Sequence, residues 1–126
     1  MQKFIAVLLT VIVSIVAVLA IHNIRSAAAP NFGTPYQAVL LTGGQVYFGK
    51  LENAAGMYPI LRDVFYVVSQ VNPETKQVTN VLVRRGKELH GPEYMVLNRQ
   101  NIVFIEPVNE DSQVAKFIAE QNKQSK

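Results

Sequence analysis

Residues 36–51, YQAVLLTGGQVYFGKL, decide how the chain is read: two apolar runs, 36–41 and 45–51, flank Gly43 and Gly44, and Gly49 sits inside the second run. The runs are rich in β-branched and aromatic residues, which suit strands. A Gly-Gly pair between two such runs predicts a hairpin, because a type I′ turn needs positive φ at both central residues and glycine adopts it freely. In that register Leu41 opposes Val46, Val39 opposes Phe48 and Leu40 opposes Tyr47. Both faces are then apolar, so the hairpin is expected to be covered on both sides or curled into a small barrel. Gly49 within a strand predicts a bulge or tight bend. A phosphate cradle is the competing reading of such glycines. It requires Lys and Ser or Thr at the start of a helix, whereas a strand follows here.

Downstream of the hairpin, 57–71 (MYPILRDVFYVVSQV) contains a strand centred on 64–69, and NPETKQ at 72–77 is a turn with Pro73. The next strand, VTNVLVRRG at 78–86, carries Thr79, Val81 and Val83 on its apolar face and ends at Gly86. KELHGPE, 87–93, is a polar loop. YMVL and NIVFIEP form two more strands across NRQN, and Pro107 ends the last. Five or six short strands with close turns and no helix between them predict a small antiparallel barrel or sandwich over 36–108, with the β-barrel preferred. The tail, 109–126, changes period: Asn109 can cap a short helix with Glu110 and Asp111 in its first turn, and Val114, Phe117 and Ile118 share one face. That face is expected to meet the barrel or another subunit.

The N-terminal region differs in kind. Residues 4–21, FIAVLLTVIVSIVAVLAI, carry no charge, and as a helix they extend about 27 Å, close to the roughly 30 Å of a bilayer core. A cleaved signal peptide is the alternative, with the alanines at 27–29 as a cleavage motif. The apolar stretch exceeds the usual signal core, and Pro30 directly follows the alanines, so a retained transmembrane anchor over 1–25 with a linker at 26–35 is the preferred reading. Ala6, Thr10, Ser14 and Ala17 fall on one helical face, where small side chains allow close approach of a second membrane helix. Lys3 before the span and Arg25 after it balance each other. The positive-inside tendency, counting the free amine, mildly favours a cytoplasmic N-terminus with the domain outside.

Charge narrows the function classes. The net +3 owes two units to Lys3 and Arg25, which leaves ten Lys or Arg against nine Asp or Glu over 30–126. A nucleic-acid binder normally carries a basic surplus, so nucleic acid is not an expected partner. Without cysteine, and with only His22 and His90, a metal centre lacks ligands, and no cofactor is expected. Ser69 and Ser112 belong to no nucleophile motif. Arg84, Arg85 and Arg99 are candidate contacts for an acidic partner surface or lipid headgroups, and Phe117 is a candidate contact on the tail helix. Nothing points to an enzyme.

The stretch YQAVLLTGGQVYFGKL together with VLNRQNIVFIEPV resembles the plan of Sm-like and SH3-like small barrels. That resemblance implies a barrel topology and, in its Sm-like form, RNA binding, for which Tyr47, Tyr66, Arg84 and Arg99 would form the groove. Asn80 and Arg85-Gly86 stand away from the places where the Sm-like pattern has its Asn and Arg-Gly pair. GQVYFGKL, LRDVFYV, NPETKQV and ELHGPEYMVLNR are similar to an uncharacterised family of bacterial single-pass membrane proteins with one compact β domain, which implies the architecture and transfers no functional residue. The expectation is a non-catalytic, membrane-anchored accessory subunit of a larger membrane complex, respiratory or photosynthetic by context, with other membrane subunits and the lipid bilayer as partners.

Overall fold

A computed structural model describes residues 1–25 and 30–125; the part of the expected linker at 26–29, with its alanines, and Lys126 lie outside the described residues. The chain forms α1 (Gln2–Arg25), β1 (Gln37–Leu41), β2 (Val46–Glu52), β3 (Ile60–Val71), β4 (Val78–Arg84), β5 (Tyr94–Val96), β6 (Ile102–Pro107) and α2 (Gln113–Gln124), with a 3₁₀ turn over Arg99–Asn101 before β6. Helix α1 runs four residues past the apolar stretch. Its 2–21 portion is long and apolar enough to cross a membrane, and none of it is buried against the rest of the chain.

All six strands form one antiparallel sheet in the order β4-β3-β2-β1-β6, with β5 on β3. Strand β3 is long enough to serve two partners on one side: Ile60–Arg62 pair with β5, and Phe65–Val71 pair with β4. No ladder joins β6 to β4 or β5, so the sheet stays open and a closed barrel is not formed by strand pairing.

The first hairpin exists in a different register from the expected one. Leu40 opposes Val46, Val39 opposes Tyr47 and Ala38 opposes Phe48. The closing bonds run from the Leu41 amide to the Gln45 carbonyl and from the Gly44 amide to the Leu41 carbonyl, both 2.9 Å, so the loop has three residues, Thr42 to Gly44. Only Gly44 takes positive φ, at 81°. This is the tight turn followed by a left-handed residue that three-residue hairpins use, and it replaces the two-residue turn. Both faces are covered as expected, since the adjacent Ala38 and Val39 are both buried.

The irregularity expected at Gly49 is real, but the extra residue sits across from it. Phe48 opposes Phe65 and Lys50 opposes Arg62, so Gly49 faces two residues of β3, Asp63 and Val64. Asp63 has φ of 50°, a conformation its short polar side chain tolerates. A Cβ on Gly49 would stand 2.7 Å from Leu61 Cγ and 2.8 Å from the Arg62 carbonyl oxygen, so the close approach of the two strands requires glycine. The bulge also shifts the alternation of β3: Leu61 and Val64, three apart, both enter the core with Val39 and Leu97. Leu41, Tyr47, Leu51, Met95, Ile102 and Ile105 surround them, so every strand except β4 lines this core. Of the apolar face expected on β4, Val81 and Val83 are half-buried and Thr79 is exposed.

Phe65 and Ala38 are buried on the opposite face of the sheet, which α2 covers. The helix cap is Ser112, whose hydroxyl accepts from the Ala115 amide at 3.1 Å, and no acidic residue lies in the first turn. Asn109, the expected cap, instead accepts from the Asp111 amide at 3.0 Å and turns the chain into the helix. Ile118 is buried within this chain, while Val114 and Phe117 of the same face are half-buried.

Candidate functional site

Four side chains, three of them from β3, β4 and α2, close a polar ring on the helix-covered face. Tyr36, just before β1, donates its hydroxyl hydrogen bond to Asp63 Oδ2, at the bulge of β3. Arg84, the last residue of β4, donates through Nη1 to Asp63 Oδ1 and through Nη2 to Asn122 Oδ1 of α2. Asn122 Nδ2 completes the ring by donating to Tyr36 Oη at 3.4 Å. Beneath it lies the Phe65 ring, with the Arg84 guanidinium 4.7 Å from its centroid and the Tyr36 ring edge-on at 6.5 Å. Burial, followed by the hydrogen bond to the Asp63 carboxylate, raises the Tyr36 pKa. A phenol held in its protonated form, facing a carboxylate with both oxygens engaged, supplies neither base nor nucleophile. The ring fastens β3, β4 and α2 to the residue that precedes β1.

Beside it, a cleft of about 360 Å³ is lined by Asp63, Arg84, Arg85, Glu93 and Tyr94, among others. The Nε atoms of both arginines are buried without a hydrogen-bond partner, and Glu88 approaches Arg85 Nε at 3.7 Å. Cations and carboxylates balance in this cleft, which gives an anion no net advantage. Arg99 lies elsewhere: its Nη1 donates to the Ala54 carbonyl at 3.0 Å, and it lines a separate cleft with Ile102 to Ile105. The structure thus brings Arg84 and Arg85 together and leaves Arg99 apart. Phe117 is half-buried and faces a shallow cleft over Val67 and Leu82.

The groove implied by the small-barrel resemblance is divided by strand alternation. Tyr47 and Tyr66 are cross-strand neighbours with ring centroids 6.2 Å apart. It is Arg85, 5.9 Å from the Tyr47 ring, that accompanies them, while Arg84 points to the other face. On α1, Thr10 Oγ1 donates to the carbonyls of Ala6 (3.2 Å) and Val7 (2.8 Å), and Ser14 Oγ donates to the Thr10 carbonyl at 2.8 Å. These hydroxyls are satisfied inside the helix, which leaves the Ala6, Thr10, Ser14 and Ala17 face small and without free donors. His90 is exposed, and no group of three potential metal ligands occurs among the described residues.

Sequence reasoning singled out Arg84 and missed Tyr36, Asp63 and Asn122. No local signal connects them, since their sequence separations in the ring range from 21 to 86 residues. No protein-family model matches the chain, and no curated protein matches it.

Proposed function

We propose that the chain is a non-catalytic accessory subunit held at a membrane by α1, with its β domain bracing other subunits of a membrane protein complex. The observation that carries this reading is the contrast between an apolar 20-residue segment wholly unburied in the chain and a sheet that buries its own core without it. A helix apolar on all sides that finds no cover in its own chain finds it in lipid or in other membrane helices. The small face at Ala6, Thr10, Ser14 and Ala17 supports the helix contact. The clamped ring supports a role as a rigid body. The Asp63 bulge and a core fed by five strands support a sheet curled toward a barrel. Tethering confines the domain near its target, so a modest interface suffices through effective concentration. The domain lies on the extracytoplasmic side, after the charge balance around the span.

Extraction of the native protein in a gentle detergent, followed by native gel separation and mass spectrometry, tests the proposal. The chain is expected to migrate with other membrane subunits, at an intact mass that includes α1. A monomer, or a mass lacking the first twenty or so residues, would sink it.

A further inference from the structure

The segment leaving the membrane helix is fixed to one end of the domain. Residues 30–35 line one cleft with Gln37, Lys50 and Leu51. Buried Gln37 bridges them, donating to the Thr34 carbonyl (2.6 Å) and accepting from the Leu51 amide (2.9 Å). Only five peptide steps separate Arg25 from Pro30, at most about 18 Å of chain. Whatever the orientation of the domain, this end stays within that reach of the helix terminus.

The ladder then specifies what lies next to it. Lys50 opposes Arg62, and Arg62 opposes Tyr94, so one row crosses β2, β3 and β5 in about 10 Å. The adjacent row on the same face is Glu52, Ile60 and Val96. The 53–59 loop is bonded to the end of β5, with the Leu97 amide on the Pro59 carbonyl at 2.8 Å and the Arg99 amide on the Met57 carbonyl at 3.0 Å. Four bulky side chains are left exposed in this neighbourhood: Met57 (56%), Tyr58 (62%), Tyr94 (45%) and Val96 (57%). Around them stand Lys50, Arg62 and Arg99, against Glu52, which pairs with Arg62, and Glu93, which lines a cleft with Tyr94.

We infer that this surface rests on the headgroup region of the bilayer that holds α1, with Tyr58, Tyr94 and Val96 at the interface and Lys50 and Arg99 toward lipid phosphate. Tyrosine rings favour that depth, and long cationic side chains carry their charge to phosphate while their stems cover apolar surface. The short tether sets this end of the domain, not the opposite β3–β4 tip, beside the membrane. The inference rests on the reading of α1 as a membrane anchor.

The chain has no cysteine, so a single introduced one takes a polarity-sensitive fluorophore uniquely. The full chain is reconstituted in phosphatidylcholine–phosphatidylglycerol vesicles carrying Val96→Cys, Val78→Cys or Ile12→Cys. The label at 96 is expected to emit at shorter wavelength and to be quenched severalfold more by headgroup spin labels than the label at 78. The label at 12 is expected to respond to quenchers deep in the acyl chains. Adding Lys50→Glu and Arg99→Glu should reduce quenching at 96 and leave residue 12 unchanged. If residue 12 is quenched and residue 96 behaves like residue 78, the inference is overturned while the anchor stands. If residue 12 is not quenched, the anchor reading falls and the inference with it. Tyr94→Cys repeats the measurement should Val96→Cys disturb β5.

Discussion

The two ends of the β3–β4 hairpin share a ladder and differ in nearly everything else. At its base, Phe65 is sealed under Tyr36 and Arg84, and Val64 fills the core. Toward its tip, Val67, Val71 and Val78 are exposed, and the Asn72–Gln77 turn is held by local bonds alone, with Asn72 Oδ1 accepting the amides of Glu74 and Thr75. Hydrophobic sequence is therefore a poor guide to burial: Phe65 and Val71 lie on one face of one strand, and only the first has anything above it. The cleft beside α2 is lined by Val67, Leu82 and Asn80, and Val71 and Val78 lie beyond it toward the tip.

This contrast can be broken by measurement, using near-UV circular dichroism of the tyrosines in detergent-solubilised full chain. Phe65→Ala should have the largest effect, about 3–5 kcal/mol of lost stability, from a vacated aromatic site at the base. Gly49→Ala should cost about 1–3 kcal/mol, because the added methyl must displace Leu61 or the Arg62 carbonyl. A neutral outcome there would mean that the bulge relaxes freely, and the account of Asp63 would fail. Tyr36→Phe should remove about 1 kcal/mol near neutral pH, with a diagnostic pH dependence. Burial and Asp63 raise the Tyr36 pKa above its ordinary value of 10.0, so the folded state holds the proton more tightly than the unfolded chain. That contribution is complete below about pH 10 and is lost as pH rises through the folded-state value. Tyr36→Phe should flatten this alkaline limb, and an unchanged limb would contradict the ring. Val71→Ala, at the tip, should stay within about 0.5 kcal/mol. A larger loss would show that the tip is covered in solution, for instance by another subunit.

What was legible in the sequence follows the same division. Strand positions and turns were readable because apolar alternation and Gly, Pro and Asn punctuation are local. The hairpin register was not, since either glycine of the pair could supply the positive φ, and the choice of Gly44 alone moves every pair by one. The same holds for the helix cap, where Asn109 and Ser112 are both good candidates three residues apart. Asp63 was invisible as a bulge because a left-handed aspartate leaves no mark on a pattern that reads as continuous strand. The polar ring was beyond reach for a stronger reason: its members are ordinary surface-type residues, and only the assembled sheet makes them neighbours.

The ring has a mechanical meaning as well. On the proposed reading of α1 as an anchor, a pull between the membrane and a partner enters the domain at residues 36 and 37. Gln37 hands it to β2 through Leu51, Tyr36 passes it to β3 through Asp63, and Arg84 and Asn122 carry it on to β4 and α2. Load spread over three strands and a helix strains many bonds together and does not peel one edge strand from the sheet, so the point of attachment is itself cross-braced.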